Sequence, residues 1–186
     1  MFTSGSQSTV DAVLFDLDGT LADTAADIEA ALRFSLAELG VDPGERLLSL
    51  VDGSPLEEVF AVAVPGGTPT QLLRFVEGYR RHYQHGMFAQ SRLFPGVRDT
   101  LEALRALQPR PRLAIATSKR VAAARELARG LQIEAHFDAI AGSGGSDMPH
   151  KPAPDLLLSV LAELGVQPSR ALMVGDTRRD VLAGQR

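Results

Sequence analysis

Hydrophobic and polar positions follow two different periods along this chain, and the switches between them divide it. Val10, Ala12, Val13, Leu14 and Phe15 form a short apolar, partly β-branched run that Gly19 breaks, which predicts a buried strand opening into a loop. Leu113-Ala114-Ile115-Ala116 and Leu172-Met173-Val174 predict two more strands of the same kind. Between the first and second the spacing is helical. Ala25, Ile28, Ala31, Leu32, Leu36 and Leu39 share one face, with Thr24 and Asp27 as a capping pair and Gly40 as the stop. A further apolar helical stretch follows Asp52-Gly53-Ser54-Pro55, then the loop Pro65-Gly66-Gly67-Thr68-Pro69 and a longer helix from Gln71 to Met87. On that helix Leu72, Val76, Tyr79, Tyr83 and Met87 make one apolar stripe, which is assigned to core packing and not to ligand contact. The sheet pattern returns after Phe94-Pro95-Gly96, and helix and strand alternate to Asp180. The expected fold is therefore α/β: a doubly wound parallel sheet formed by residues 10–21 and 94–186, with a small all-helical segment, residues 22–93, inserted after the first strand. No internal repeat or low-complexity tract interrupts it.

Polar residues that carry chemistry gather where those strands end. Asp16 and Asp18 stand two apart after the first strand, and residues at i and i+2 of a strand face the same way. Two clustered carboxylates are unfavourable unless a cation or a shared proton relieves them, and a divalent metal is the simplest relief. The carboxyl edge of an open α/β sheet is also where ligands bind. Asp before a Gly is ordinary turn chemistry as well, so the pair acquires meaning only from the polar residues at the other strand ends. The second strand runs into Thr117-Ser118-Lys119, where a hydroxyl and backbone N–H groups can hold a phosphate oxygen. Lys151 is presented between His150 and the stiffening prolines 152 and 154, as a point charge able to offset carboxylates and bind an anion. The third strand runs into Gly175-Asp176-Thr177-Arg178-Arg179-Asp180, where Asp176 would complete a magnesium site with Asp16. This constellation favours phosphoryl transfer, with Asp16 attacking phosphorus and Asp18 moving the proton.

Taken together these elements resemble the haloacid dehalogenase-like superfamily, whose pattern is D-x-D-x-T, a strand ending in Thr or Ser, a lysine, and G-D-x-x-x-D. The match runs from Val10 to Asp180. The resemblance implies a Rossmann-like core and identifies the helical insertion as the family's cap. It implies that Asp16 is nucleophile and magnesium ligand, that Asp18 is general acid/base and binds the metal through its backbone carbonyl, and that Asp176 is a further ligand. Thr117 and Lys151 complete the catalytic set. Gly19, Thr117, Ser118 and Lys151 bind substrate, and Asp180 supports the metal waters or Lys151 from behind. An aspartate at position 18 implies a phosphatase or a phosphomutase. The wording from Phe15 to Thr24, Phe94-Pro95-Gly96-Val97, Thr117-Ser118-Lys119 and His150 to Pro154 is similar to the phosphoglycolate phosphatase-like members. The expected substrate is a small phosphorylated metabolite, with a β-phosphoglucomutase-like mutase or a catalytically weak phosphate-binding fragment as alternatives. A signalling receiver domain shares some of these groups, but it has no helical insertion and keeps its acidic pair and its phosphorylated Asp on separate strands.

Composition narrows the partners. The 186 residues carry a formal net charge of −4, which argues against nucleic-acid binding, so an anionic substrate must be drawn in locally. There is no cysteine, hence no disulfide and no thiolate chemistry. No apolar run is long enough to span a membrane, and residues 1–9 lack the regions of a signal peptide, so the expectation is a cytoplasmic protein, monomer or homodimer. His82 and His85 have a spacing some metal sites use but no third ligand nearby, and Arg80 and Arg81 read as a solvated face. Arg186 lies six residues past Asp180, within what reads as the start of a helix, so the expectation is that family members continue with more helix and a further strand.

Overall fold

The computed structural model describes residues 10–44, 54–86, 89–143 and 148–186, with the backbone alone for residues 85 and 86. Four parallel strands form the main sheet: β1 (Ala12–Phe15), β4 (Arg112–Arg120), β5 (Ala139–Ser143) and β6 (Ala171–Val174), in the order β5-β4-β1-β6. β1 lies in the middle, with Phe15 opposite Ile115 on one side and Val174 on the other. The first functional loop therefore leaves the centre of the carboxyl edge.

Alternation along the strands builds two cores, one on each face. Val13, Phe15, Leu113 and Ile115 point to one side, where they meet α4 (Val97–Ala106) through Leu101 and α5 (Val121–Gly130) through Leu127 and Ala128. Ala12, Leu14, Ala114 and Ala116 point to the other, against Leu156, Leu157, Val160 and Leu161 of α6 (Asp155–Leu164). The small residues at Ala12, Ala114 and Ala116 leave room for the leucines of α6, and that interdigitation keeps the strands in register. The last helix, α7 (Arg178–Gln185), begins after the short loop that follows β6 and packs Ala183 into this second core.

A third core lies away from the sheet. Leu32 and Leu36 of α1 (Ala25–Ala37), Val59 and Phe60 of α2 (Leu56–Ala63), and Phe75 and Val76 of α3 (Pro69–Gly86) pack on one another. This helical segment opens and closes on two-residue strands, β2 (Ala22–Asp23) and β3 (Arg92–Leu93), paired antiparallel. The expected Thr24 and Asp27 capping pair does not form. Thr24 makes no side-chain cap, and the Asp27 carboxylate instead accepts from the backbone N–H groups of Gln90 and Ser91 and the Ser91 hydroxyl, tying the start of α1 to the return segment. The stripe on α3 is incomplete as read, because Phe75 is fully buried beside it, and Met87 lies outside the described residues. His82 stacks on Phe34 with ring centroids 4.6 Å apart, and the His85 side chain lies outside the described residues. Among the described residues no helix is long and apolar enough to cross a membrane.

Candidate active site

Lys151 is the hub of the sheet edge. Its ammonium, buried below α6, donates to Asp16 Oδ1 at 2.9 Å, to Asp180 Oδ1 at 2.5 Å and to the carbonyl of Ala116 at 3.1 Å. All three donors of the ammonium are used, and two carboxylates share one positive charge. Burial pushes the Asp16 carboxyl up to about 6 against the pull of Lys151, with Asp180 and Asp18 adding to the rise. Asp180 is held from its other oxygen, since the backbone N–H and the hydroxyl of Thr177 both donate to Oδ2, while the Thr177 hydroxyl accepts from the Asp180 N–H. This capping box starts α7, so one side chain both caps the helix and fixes Lys151.

Asp16, Asp176 and Asp180 each offer a carboxylate oxygen within 4.8 Å of the others. Thr20 helps to place Asp176, donating its hydroxyl to Oδ1 at 2.9 Å. Gly19 matters through what it lacks: at φ +81° a Cβ there would lie 2.3 Å from Asp176 Oδ2, so only glycine lets the first loop approach that carboxylate. Hard oxygen donors gathered around a buried carboxylate suit magnesium, which is bound by one or two carboxylates while keeping waters, and they do not suit a thiol- or imidazole-seeking ion.

Asp18 does not join this cluster through its side chain. Thr24 donates its hydroxyl to Asp18 Oδ1 at 2.6 Å, and the Lys119 ammonium lies 3.2 Å from the same oxygen. The two aspartates therefore have different surroundings, Asp16 against Lys151 and Asp18 against Lys119. Thr117 is buried in β4 where its regular pairing stops, its hydroxyl accepting from the Lys119 N–H. Thr117, Ser118 and Gly19 line the same cavity of about 590 Å³ as the aspartates and Lys151.

Three contributors to this cavity escaped the sequence reading. Lys119 was legible only as the end of a strand, because the pairing of β4 is irregular between Thr117 and Arg120 and simple alternation does not say where its side chain goes. Tyr83, assigned to core packing, is buried, but its hydroxyl accepts from Lys119 Nζ at 3.0 Å and its ring stacks on Tyr79. Burial works against the Lys119 charge, but Asp18 with Tyr83 and Tyr79 outweighs it and holds the pKa above the ordinary lysine value. Arg179, beside Asp180, donates to the Lys151 carbonyl and reaches Ser54 and, at 2.5 Å, Glu58 of α2. No sequence signal pairs these last residues, which lie more than a hundred positions apart.

Residues 13–186 match the family model described as haloacid dehalogenase-like hydrolase. The tyrosine-protein kinase PtkA of Mycobacterium tuberculosis is 36% identical over 170 residues, which cover 91% of this chain and 56% of that protein, so the chain spans about half of that relative. The phosphoglycolate phosphatase of Nitrosospira multiformis is 36% identical over 183 residues, covering 95% of this chain and 79% of that protein. Among solved structures, a haloacid dehalogenase-like family hydrolase from Streptococcus pneumoniae superimposes with a TM-score of 0.81 at 33% identity, covering 96% of this chain and 80% of that one.

Proposed function

Since the chain belongs to the haloacid dehalogenase-like hydrolase family, we propose that it is a magnesium-dependent phosphatase acting on a small phosphate monoester, of the phosphoglycolate or sugar-phosphate kind, through an aspartyl-phosphate. The observation that carries this reading is the separation of the two first-loop aspartates, one buried against Lys151 beside Asp176 and Asp180, the other turned onto Thr24 and Lys119.

In this reading an Asp16 carboxylate oxygen forms a bond to phosphorus while the ester P–O bond breaks, and Asp18 gives its proton to the departing oxygen. Asp18 then takes a proton from the water that attacks the phosphorus of phospho-Asp16, which releases inorganic phosphate and restores the carboxylate. Thr117, Ser118 and the loop at Gly19 hold the non-reacting phosphate oxygens, and Lys151 carries the positive charge that orients Asp16 and meets the anion. Asp16, Asp176 and the backbone carbonyl of Asp18 would hold magnesium, with Asp180 supporting Lys151. When bound, the ion offsets the carboxylates and polarises the phosphoryl group. Residues 22–93 act as a cap that chooses the leaving group over a core of residues 10–21 and 94–186.

Kinship with a protein named a tyrosine kinase makes the phosphoryl acceptor the point on which the reading turns. A phosphate-release screen over small phosphate esters, with and without a chelator, tests it. Release that needs magnesium and vanishes in Asp16→Asn is expected. Transfer to a second hydroxyl outpacing release would overturn the assignment of water as acceptor, and undiminished release by Asp16→Asn would overturn the nucleophile.

A further inference from the structure

The contact between Lys119 and Tyr83 joins α3 to the proton-transfer group. Lys119 leaves β4 two residues after Thr117, Tyr83 comes from the last turns of α3, and Asp18 comes from the loop after β1, so three remote segments meet at one ammonium. The Lys119 side chain is only 8% exposed and lies 4.3 Å from the centre of the Tyr83 ring. Tyr79 backs that ring at 5.6 Å in a near-parallel stack, which leaves Tyr83 little freedom to move away from Lys119. Among the described residues the contacts to the Asp18 side chain, from Thr24 and Lys119, both fall on Oδ1, so the carboxylate is gripped by one oxygen.

We infer that Lys119 is a positioning residue for Asp18, and that Tyr83 sets Lys119, so that the seating of α3 on the core is read directly as the orientation of the acid/base. The inference rests on the phosphatase reading for its kinetic consequence and on geometry alone for the contact. Losing the Tyr83 hydroxyl frees the ammonium to rotate, and losing the ammonium leaves Asp18 held by Thr24 alone among the described residues. A displacement of about an ångström in a reacting group costs up to about a hundredfold in rate, so the effect falls on kcat and not on ground-state binding.

The chain supplies its own probe, since Tyr79 and Tyr83 are its two tyrosines and it has no tryptophan. Lys119→Met is expected to change the tyrosine emission of the Tyr79→Phe protein, where Tyr83 is the fluorophore, more than that of the Tyr83→Phe protein. With a small phosphate ester in magnesium, Lys119→Met should lower kcat about tenfold or more with KM within about twofold, and Lys119→Arg should recover part of the loss. Tyr83→Phe should lower kcat less, and add nothing when combined with Lys119→Met, because both act through one contact. Unchanged emission in the Tyr79→Phe background overturns the contact. Multiplying kcat effects, or a rise in KM with kcat intact, overturns the positioning role. A wild-type protein that releases no phosphate overturns the phosphatase reading instead, and the emission comparison then decides the contact by itself.

Discussion

At the scale of single residues, Lys151 is where stability and chemistry meet. Its ammonium is shared by two buried carboxylates, and removing one partner of a buried ion pair leaves charge uncompensated. Lys151→Met should therefore cost about 3–5 kcal/mol in urea denaturation measured in chelator, and a loss well under 1 kcal/mol would show that Asp16 and Asp180 do not depend on it. The residues at this hub were legible because each follows an apolar run or sits in a proline-flanked loop, so local pattern placed Asp16, Thr117 and Asp176 after apolar strands and Lys151 in a stiffened loop. Tyr83 was not, since helical spacing reports which face is buried and is silent about a hydroxyl at the end of a buried ring. Thr24 misled for a related reason: a hydroxyl before a helix reads as a cap, and here it serves Asp18 instead.

At the scale of elements, the joint between β4 and β5 is fastened by Asp138, just ahead of β5. Arg110 donates to both of its oxygens, Arg112 to one, and the Leu113 N–H to the other at 2.9 Å. Partial burial pushes the Asp138 carboxyl up, but the hydrogen bonds from Arg110, Leu113 and Arg112 outweigh it and hold the pKa below the usual carboxylate range. A carboxyl depressed in the folded state adds stability above its unfolded pKa and loses it as pH falls through the folded one. Asp138→Asn should cost about 1–3 kcal/mol near neutral pH, and the difference from wild type should shrink below about pH 4 in parallel urea titrations. A difference independent of pH would assign the joint to packing. β5 itself was not among the strands the sequence pattern named. Its run of Ala139, Ile140, Ala141 and Gly142 is short and small, and it passes closely against the junction of β4 and α5, where a Cβ on Gly142 would lie 2.3 Å from the Lys119 carbonyl and 2.9 Å from the Val121 nitrogen.

At the scale of the whole molecule, the described residues form three cores: two hold the faces of the sheet, and the third holds the helical segment whose α2 and α3 reach the sheet edge through Glu58 and Tyr83. The doubly wound sheet was legible from the alternation of apolar runs with helical spacing, whereas the bridges between helical segment and core were not, because each joins side chains far apart in sequence. With a net charge of −4 the molecule as a whole repels an anion, so attraction must come locally from the site. A ligand that binds only the folded state stabilises it, by about 2.7 kcal/mol at a hundred times its dissociation constant. Magnesium should therefore raise the melting temperature, and Asp176→Asn should remove most of that shift. An equal shift in both proteins would move the ion away from the cluster of Asp16, Asp176 and Asp180.

The most direct test concerns Asp16 itself. Borohydride added during turnover of a small phosphate ester in magnesium reduces an aspartyl-phosphate to homoserine, and peptide mass spectrometry locates the modified residue. Homoserine is expected at position 16, and is expected to be absent without substrate. Homoserine at position 18, or steady phosphate release with residue 16 never trapped, would contradict Asp16 as the nucleophile.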